Sequence, residues 1–389
     1  MRREKKFRRR RRLALLLVLL TVGLGVVLAL WSWLDAQARA VVVISSVLDA
    51  PVLTPATEVV SGEPRFADET VAGNPALVVR PAGEGPWPAV FFANGTIPEG
   101  RKLPEARRLA EGLARAGYLV VVPDLPGLTE DRITPGSVAE TADVARAIPG
   151  RPDVANDRVA LVGISTGATL ALLAAERRDV GERVSVVAGV APYSDIRTVV
   201  NVATTGRYES GDGSFVRHEA DPFLSYVVAR SLVAALPSDD DRRALSAEIE
   251  GVGRENPNPL GGLRLRRTED LGPASQDVLA LLANRDPARF DDLYAALPKG
   301  VEKDLRFFSP LAGAGRIEVP VEVATGPQDK YFPASESRNL GGIAPDLRVT
   351  VTPAIDHAEP DLSPGDPAAI AELNAFMVRS LREARVAED

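Results

Sequence analysis

The chain has 389 residues and 45% hydrophobic content, which suits one large α/β domain or one domain with a sizeable insertion. It has no cysteine and only two histidines, His218 and His357, which excludes disulfides, thiolate catalysis, Cys-ligated zinc and multi-histidine metal sites. The formal net charge is −7, yet the first 40 residues carry ten Lys/Arg and two Asp/Glu, so the remaining body is strongly acidic. An acidic body disfavours nucleic acid as a partner, because phosphates need clustered basic side chains.

The N-terminal segment predicts a membrane anchor. Residues 2–12 include nine Lys/Arg, and an uncharged apolar run of 22 residues follows at 13–34. About 20 helical residues cross a bilayer core. Trp31 and Trp33 stand at the far end of the run, as is typical of a membrane interface. By the positive-inside rule, residues 1–12 form a cytoplasmic segment, and the C-terminal body lies outside the cytoplasm.

A cleaved signal peptide is the alternative interpretation of the same segment. Ala38-Arg39-Ala40 fits the small-x-small cleavage pattern, which would give a protein secreted after cleavage near Ala40. The apolar region of a signal peptide is usually shorter, roughly 7–15 residues, so the length of the run favours an uncleaved signal anchor.

Beyond a stalk at 35–59, the body alternates apolar strands with helices. Strands are predicted at 75–83, 88–95, 117–124, 158–163 and 183–190, and helices at 104–116, 138–148 and 166–177. Because these strands are apolar on both faces, they predict a mostly parallel central sheet with helices on both faces.

A helical insertion interrupts this alternation at 197–305. Helices are predicted there at 221–236, 239–250, 273–284 and 287–297, and strands return at 319–326 and 346–351 before a last helix at 367–383. The sequence therefore predicts an α/β core in two parts, 60–196 and 306–389, with the insertion placed as a lid.

The main chemical signal is the segment Gly163-Ile164-Ser165-Thr166-Gly167. An apolar strand runs directly into this G-x-S-x-G pattern, and an Ala/Leu-rich helix leaves it directly. Such a strand-to-helix turn presents its serine in strained backbone geometry, and the glycines remove side chains that would clash. Ser165 is therefore the predicted nucleophile; an N-capping serine in an ordinary turn is the alternative.

With these residues the chain resembles the α/β-hydrolase superfamily over about 60–195 and 306–385. Within the superfamily it is most similar to dienelactone-hydrolase-like and prolyl-oligopeptidase-like branches, through segment 76–95 and the run Tyr-Leu-Val-Val-Val-Pro-Asp-Leu-Pro-Gly at 118–127. The resemblance implies the α/β-hydrolase fold, with triad residues in the chain order Ser, acid, His.

His357 is the predicted base, because it follows the last predicted strand, where similar enzymes keep their catalytic histidine. His218 lies in the insertion and is expected to be solvated or to line the lid. Asp329 is the predicted acid, since the segment Gly326-Pro-Gln-Asp329-Lys-Tyr-Phe-Pro resembles the superfamily's acid loop. The rival acids are Asp195 and Asp356.

The oxyanion hole is expected to use backbone N–H groups of Thr166 and of Gly95 or Thr96. Relatives often have His-Gly where this chain has Asn94-Gly95. A further strand-end carboxylate, Asp124, is assigned to turn and capping chemistry.

The predicted activity is a serine esterase that transfers an acyl group to water without a cofactor. Its expected partner is a small acyl substrate; the apolar segment 223–236 could supply a binding wall, and Tyr193, Tyr208 or Tyr226 could line the pocket. A peptidase or amidase of the prolyl-oligopeptidase type and a non-catalytic membrane-tethered binding module are the alternatives. The sequence does not indicate an oligomeric state.

Overall fold

The computed structural model describes residues 2–47, 62–313, 315–360 and 366–385. The strands are β1 (Arg65–Val71), β2 (Asn74–Arg80), β3 (Trp87–Ala93), β4 (Leu119–Pro123), β5 (Val154–Ile164), β6 (Val184–Val190), β7 (Arg207–Glu209), β8 (Phe215–Arg217), β9 (Val321–Thr325), β10 (Leu347–Val351), β11 (Ile355–Asp356) and β12 (Glu359–Pro360).

The helices are α1 (Arg2–Val47), α2 (Pro104–Arg115), α3 (Pro135–Ala147), α4 (Thr166–Ala175), α5 (Arg178–Gly181), α6 (Ile196–Thr205), α7 (Pro222–Ala234), α8 (Asp239–Val252), α9 (Gly261–Leu265), α10 (Pro273–Ala283), α11 (Phe290–Ala295), α12 (Lys299–Phe307), α13 (Ala334–Asn339) and α14 (Pro367–Glu383). Short 3₁₀ turns lie at Gly100–Lys102, Leu128–Glu130, Pro287–Arg289, Pro310–Ala312 and Leu340–Gly342.

Eight strands form the central sheet in the order β1-β2-β4-β3-β5-β6-β9-β10. The pairs β1–β2 and β2–β4 are antiparallel, and every other pair in this sheet is parallel. The carboxyl ends of the parallel strands therefore meet at one edge, where ligands bind in open α/β sheets. The prediction of a mostly parallel central sheet is confirmed.

Alternate side chains of the strands pack on opposite faces of the sheet. Val90 and Phe92 of β3 join the core beneath α1, α2 and α14, whereas Phe91 joins the core beneath α3 and α4. This period of two, with both faces buried, explains why the strands are continuously apolar in sequence. The predicted helical layers on both faces are confirmed.

Helices α6 to α12 and the hairpin β7–β8 lie between β6 and β9, where the sequence predicts a helical insertion. The structure divides the predicted helix 287–297 into a 3₁₀ turn and α11, and it adds α6, α9 and α12.

The end of α1 packs on the body instead of forming a free stalk. Ala36, Ala40 and Val43 are buried in the core that α2 and α14 share. The predicted stalk at 35–59 is thus helical and docked as far as Val47, and residues 48–61 lie outside the described residues. By length and composition, the segment Gly23–Val47 of this helix is a candidate membrane span.

Candidate active site

Ser165 lies between β5 and α4, in a backbone conformation that L-residues rarely adopt. Its φ is 55° and its ψ is −129°, and its N–H donates to the Val190 carbonyl at 2.8 Å. A Cβ on Gly163 would lie 2.5 Å from the Ala168 nitrogen, and a Cβ on Gly167 would overlap the Asn94 carbonyl oxygen. The two glycines are therefore required by close backbone approach, and the turn holds the serine at the catalytic edge of the sheet.

His357 occupies the turn of the hairpin formed by β11 and β12, with φ of 53°. Its Nδ1 lies 2.9 Å from Oδ2 and 3.0 Å from Oδ1 of Asp329. Both residues are buried, at 5% and 2% exposure. Because the carboxylate only accepts, Nδ1 carries the proton that it donates to Asp329, which leaves Nε2 as the ring's proton acceptor.

The acid loop after β9 fixes Asp329 through its own backbone. The N–H groups of Tyr331 and Phe332 donate to Oδ1 of Asp329 at 2.8 and 2.9 Å. The Tyr331 ring stands edge-on to the His357 ring, with 4.5 Å between centroids. Lys330 also pairs with Glu359 at 2.9 Å, which joins the acid loop to the histidine hairpin.

Six of the eight predicted site residues line one cavity of about 970 Å³ at the catalytic edge; they are Gly95, Thr96, Ser165, Thr166, Tyr193 and His357. No hydrogen bond joins the Ser165 hydroxyl to the His357 ring within the described parts of the chain. Catalytic hydrogen bonds of this kind often tighten only when substrate is bound.

The backbones of Gly95 and Thr166, two of the predicted oxyanion donors, lie beside Ser165. A Cβ on Gly95 would lie 3.2 Å from the Ser165 Cβ and 3.7 Å from its Oγ, so this backbone directly faces the nucleophile. Thr166 is the first residue of α4, where N–H groups have no partner within the helix. The Asn94 side chain points elsewhere and donates to the Gly100 carbonyl at 2.8 Å.

The two tyrosines that were predicted to bind substrate differ in position. Tyr193 is fully buried, lines the cavity and stands edge-on to Phe332 at 5.2 Å; burial raises the pKa of its hydroxyl. Tyr226 is not among the cavity-lining residues, because it packs against Phe223 and beneath Arg230 within the insertion. Tyr208 also lies away from this cavity: its ring stands edge-on to that of His218, which lines a second cavity.

The rival residues have other partners. The carboxylate of Asp195 caps α6 through the Arg197 N–H at 2.9 Å and accepts from the Ser309 hydroxyl at 3.0 Å. Asp356 is exposed beside His357. Asp124 accepts from the Arg101 N–H at 2.7 Å, in agreement with the turn role assigned to it.

Glu336 is a buried residue of this region that the sequence does not single out. Its Oε2 accepts from the N–H and hydroxyl of Ser194 and from the Asp195 N–H, at 2.8–2.9 Å. Burial raises the pKa of this carboxyl. Glu336 thus connects the segment after the acid loop to the loop that carries Tyr193. No sequence motif around Glu336 predicts this connection.

The sequence matches the family of X-Pro dipeptidyl-peptidases (S15 family) over residues 75–244. No curated protein matches the chain. Similar solved structures include an esterase/lipase from an uncultured bacterium, with 14% identity, 87% of this chain and 90% of that chain covered, and a TM-score of 0.45. A rice cell wall degrading esterase, LipA from Xanthomonas oryzae, shares 15% identity over 80% and 87%, with a TM-score of 0.46.

A dienelactone hydrolase from Anabaena variabilis shares 15% identity over 82% of this chain and 96% of that chain, with a TM-score of 0.39. At such values these likenesses do not bear on substrate or activity. The S15 match covers the sheet from β2 to β6 and includes the nucleophile turn. The strand order of the sheet and the Ser–Asp–His order along the chain agree with that match, and the chain has the α/β-hydrolase fold.

Proposed function

We propose that this hydrolase is a serine esterase that cleaves a carboxylic ester through an acyl-enzyme, on the outer side of a membrane. The observation that carries the proposal is the shared cavity of Ser165, in its strained turn, and His357, held by Asp329. This is the arrangement by which a base activates a serine hydroxyl and an acid orients the base.

In the proposed reaction, His357 Nε2 takes the proton of the Ser165 hydroxyl as Oγ attacks the ester carbonyl. The N–H groups of Thr166 and of Gly95 or Thr96 stabilise the tetrahedral oxyanion. His357 then gives the proton to the leaving alcohol, and water, deprotonated by the same ring, releases the acid from Ser165. Asp329 stabilises the imidazolium in both halves.

The lining of the cavity supports an acyl ester over a peptide. Its insertion side is formed by aliphatic and aromatic side chains of α6, α7 and the end of α12, among them Val199, Val200, Leu224, Val228, Leu232 and Phe308. An acyl chain needs only apolar contact there. A peptide would bring N–H and C=O groups that cost free energy when buried without partners.

An X-Pro dipeptidyl-peptidase is the second candidate, and the family match over 75–244 is the observation that favours it. Such a substrate carries a cationic N-terminus, which requires a carboxylate near the cavity. Asp221 and Glu255 line the cavity, and Asp221 already accepts the Phe223 N–H at 2.8 Å.

The test uses the full chain in detergent, with Ser165→Ala as its matched control. We expect a fluorophosphonate probe to label wild type at Ser165 alone, located by peptide mass spectrometry. We expect p-nitrophenyl esters to be cleaved and X-Pro p-nitroanilides to be cleaved at least 100-fold less efficiently. The reverse preference would establish the peptidase. A folded protein that neither labels nor turns over either substrate would contradict both activities and favour a binding module.

We also propose that the N-terminal helix is retained, with residues 1–12 in the cytoplasm. Signal cleavage near Ala40 would cut α1 within its packed segment, where Ala36 and Ala40 are buried. It would also remove the Gln37 side chain that accepts from Asn374 at 3.0 Å. Intact-mass measurement of the protein from native membranes is the test; a mature N-terminus near residue 41 would contradict retention.

A further inference from the structure

The last part of α1, residues 35–47, runs along the body. It starts at the far edge of the sheet, where the parallel strands begin, and ends at the catalytic edge, where their carboxyl ends meet and Ser165 lies. Arg39 donates to the Ala116 carbonyl, next to the start of β4, and its guanidinium lies over the Tyr118 ring at 5.9 Å. Further along, a Cβ on Gly112 would lie 2.9 Å from the Ser46 Cβ. Val47, the last residue of the helix, lines the active-site cavity.

Towards its N-terminus, the same helix leaves the body at the far edge of the sheet. Asp35 pairs with Arg385, just beyond the end of α14, at 2.9 Å. Among the side chains that the structure describes before Asp35, the exposed large apolar ones are Leu24, Val27, Leu30, Trp31, Trp33 and Leu34. An apolar surface of this kind, ending in two tryptophans, suits lipid and its interface.

The length of the helix gives the distance between the bilayer surface and the active-site cavity. With a span at 13–34, the bilayer surface lies near Leu34, and 13 residues separate Leu34 from Val47. At 1.5 Å per residue, this segment places the cavity about 20 Å from that surface along the helix axis. Ala36, Ala40 and Val43 are buried in one core with residues of α2 and α14, so this segment is packed against the hydrolase core.

We infer that α1 holds the catalytic cavity away from the membrane that anchors it, so that the substrate is an acyl ester of the aqueous compartment and not a lipid of that bilayer. This inference rests on the proposed esterase function and on the proposed span. A lipid of the anchoring leaflet would have to leave the bilayer and travel past the far edge of the sheet to reach Ser165.

The first test measures orientation and does not require activity. The chain has no cysteine, so one introduced cysteine gives a single label site. Lys102→Cys labels the exposed turn before α2, at the catalytic edge, and Arg382→Cys labels the exposed end of α14, at the far edge. With the full chain in phosphatidylcholine vesicles that carry acceptor lipids, we expect energy transfer from the label at 382 to exceed that from the label at 102 at least twofold. Equal or reversed transfer would overturn the inference.

The second test measures substrate access. The full chain in vesicles is given a water-soluble p-nitrophenyl hexanoate or a phosphatidylcholine with a fluorogenic acyl ester in the same bilayer. We expect the soluble ester to be cleaved at rates within twofold of those in detergent, and the lipid at least 100-fold more slowly. Cleavage of the lipid at a rate comparable to that of the soluble ester would overturn this inference but not the proposed esterase function. Absence of soluble-ester cleavage together with absence of Ser165 labelling would overturn the proposed function instead.

Discussion

The Asp329 carboxylate holds Nδ1 of His357 at 2.9 Å, and solvent reaches neither side chain appreciably. Two further N–H donors, from Tyr331 and Phe332, fix the same carboxylate. The acid is therefore oriented by its own loop before substrate arrives, and the tautomer of His357 is set with it. A charge-assisted hydrogen bond in such a buried position is stronger than its equivalent in water.

Asp329→Asn should reduce kcat for a soluble ester by about 10³- to 10⁴-fold. The amide can donate to Nδ1, which favours the wrong tautomer, and it cannot stabilise the imidazolium. KM should change little, because Asp329 is not among the residues that line the cavity. Steady-state kinetics and the rate of fluorophosphonate labelling check both points.

Asp356→Asn is the matched control, since Asp356 adjoins His357 in sequence but is exposed. It should retain activity within about threefold, because surface charges outside the site contribute little. A large loss in Asp356→Asn with a small loss in Asp329→Asn would reassign the acid.

Gly167→Ala should destabilise the protein by roughly 1–3 kcal/mol or more, because a Cβ there overlaps the Asn94 carbonyl oxygen and the backbone must move. The shift would also displace the oxyanion donors beside Ser165, so activity should fall with stability. Urea denaturation gives the free energy of unfolding. Gly251→Ala is the control: it lies in α8 with open space around it and should be neutral or slightly stabilising. Equal effects of the two substitutions would contradict the strained turn.

The parallel sheet could be predicted from two local patterns: strands that are apolar on both faces, and helices that alternate with them. Both patterns arise because each strand buries both of its faces beneath helices. The nucleophile segment is similarly local: its glycines, its strand and its helix are all consecutive in the chain. His357 and Asp329 stand 28 residues apart, and their pairing could be predicted only from the superfamily's chain order; in the structure Nδ1 of His357 lies 2.9 Å from Oδ2 of Asp329.

Other features depend on contacts that no local pattern encodes. No local pattern predicts that Ala36 and Ala40 dock on α2 and α14, because by length and composition the same run is a candidate membrane span. Tyr226 is amphipathic and helical, as a pocket residue can be, yet it packs against Phe223 of its own helix and beneath Arg230. Glu336 acts through backbone N–H groups 141 and 142 residues away in sequence.

Phe308→Leu should move the preferred acyl chain to longer lengths. Phe308 is buried and lines the cavity at the end of α12, so the smaller side chain enlarges the acyl wall. Each additional methylene that becomes buried contributes about 0.8 kcal/mol, or roughly fourfold in kcat/KM. A series of p-nitrophenyl esters of increasing chain length measures the shift. Phe307→Leu is the control, because Phe307 is 47% exposed and should leave the profile unchanged. An unchanged profile in Phe308→Leu would place the acyl chain elsewhere.

Glu176 should make the protein less stable as the pH rises. Burial raises the pKa of this carboxyl to about 8 in the folded state, whereas the unfolded chain titrates near 4.5. Between those values the folded state binds a proton that the unfolded state has lost. The stabilisation is therefore complete below about pH 4.5 and declines as the pH approaches 8.

Glu176→Gln removes the titration and should be more stable than wild type at pH 8, with a smaller difference at pH 5. Glu182→Gln, on the exposed surface beyond α5, is the control. Urea denaturation of the three proteins at both pH values decides the matter: parallel pH dependence in wild type and Glu176→Gln would show that the Glu176 carboxyl is already ionised in the folded protein.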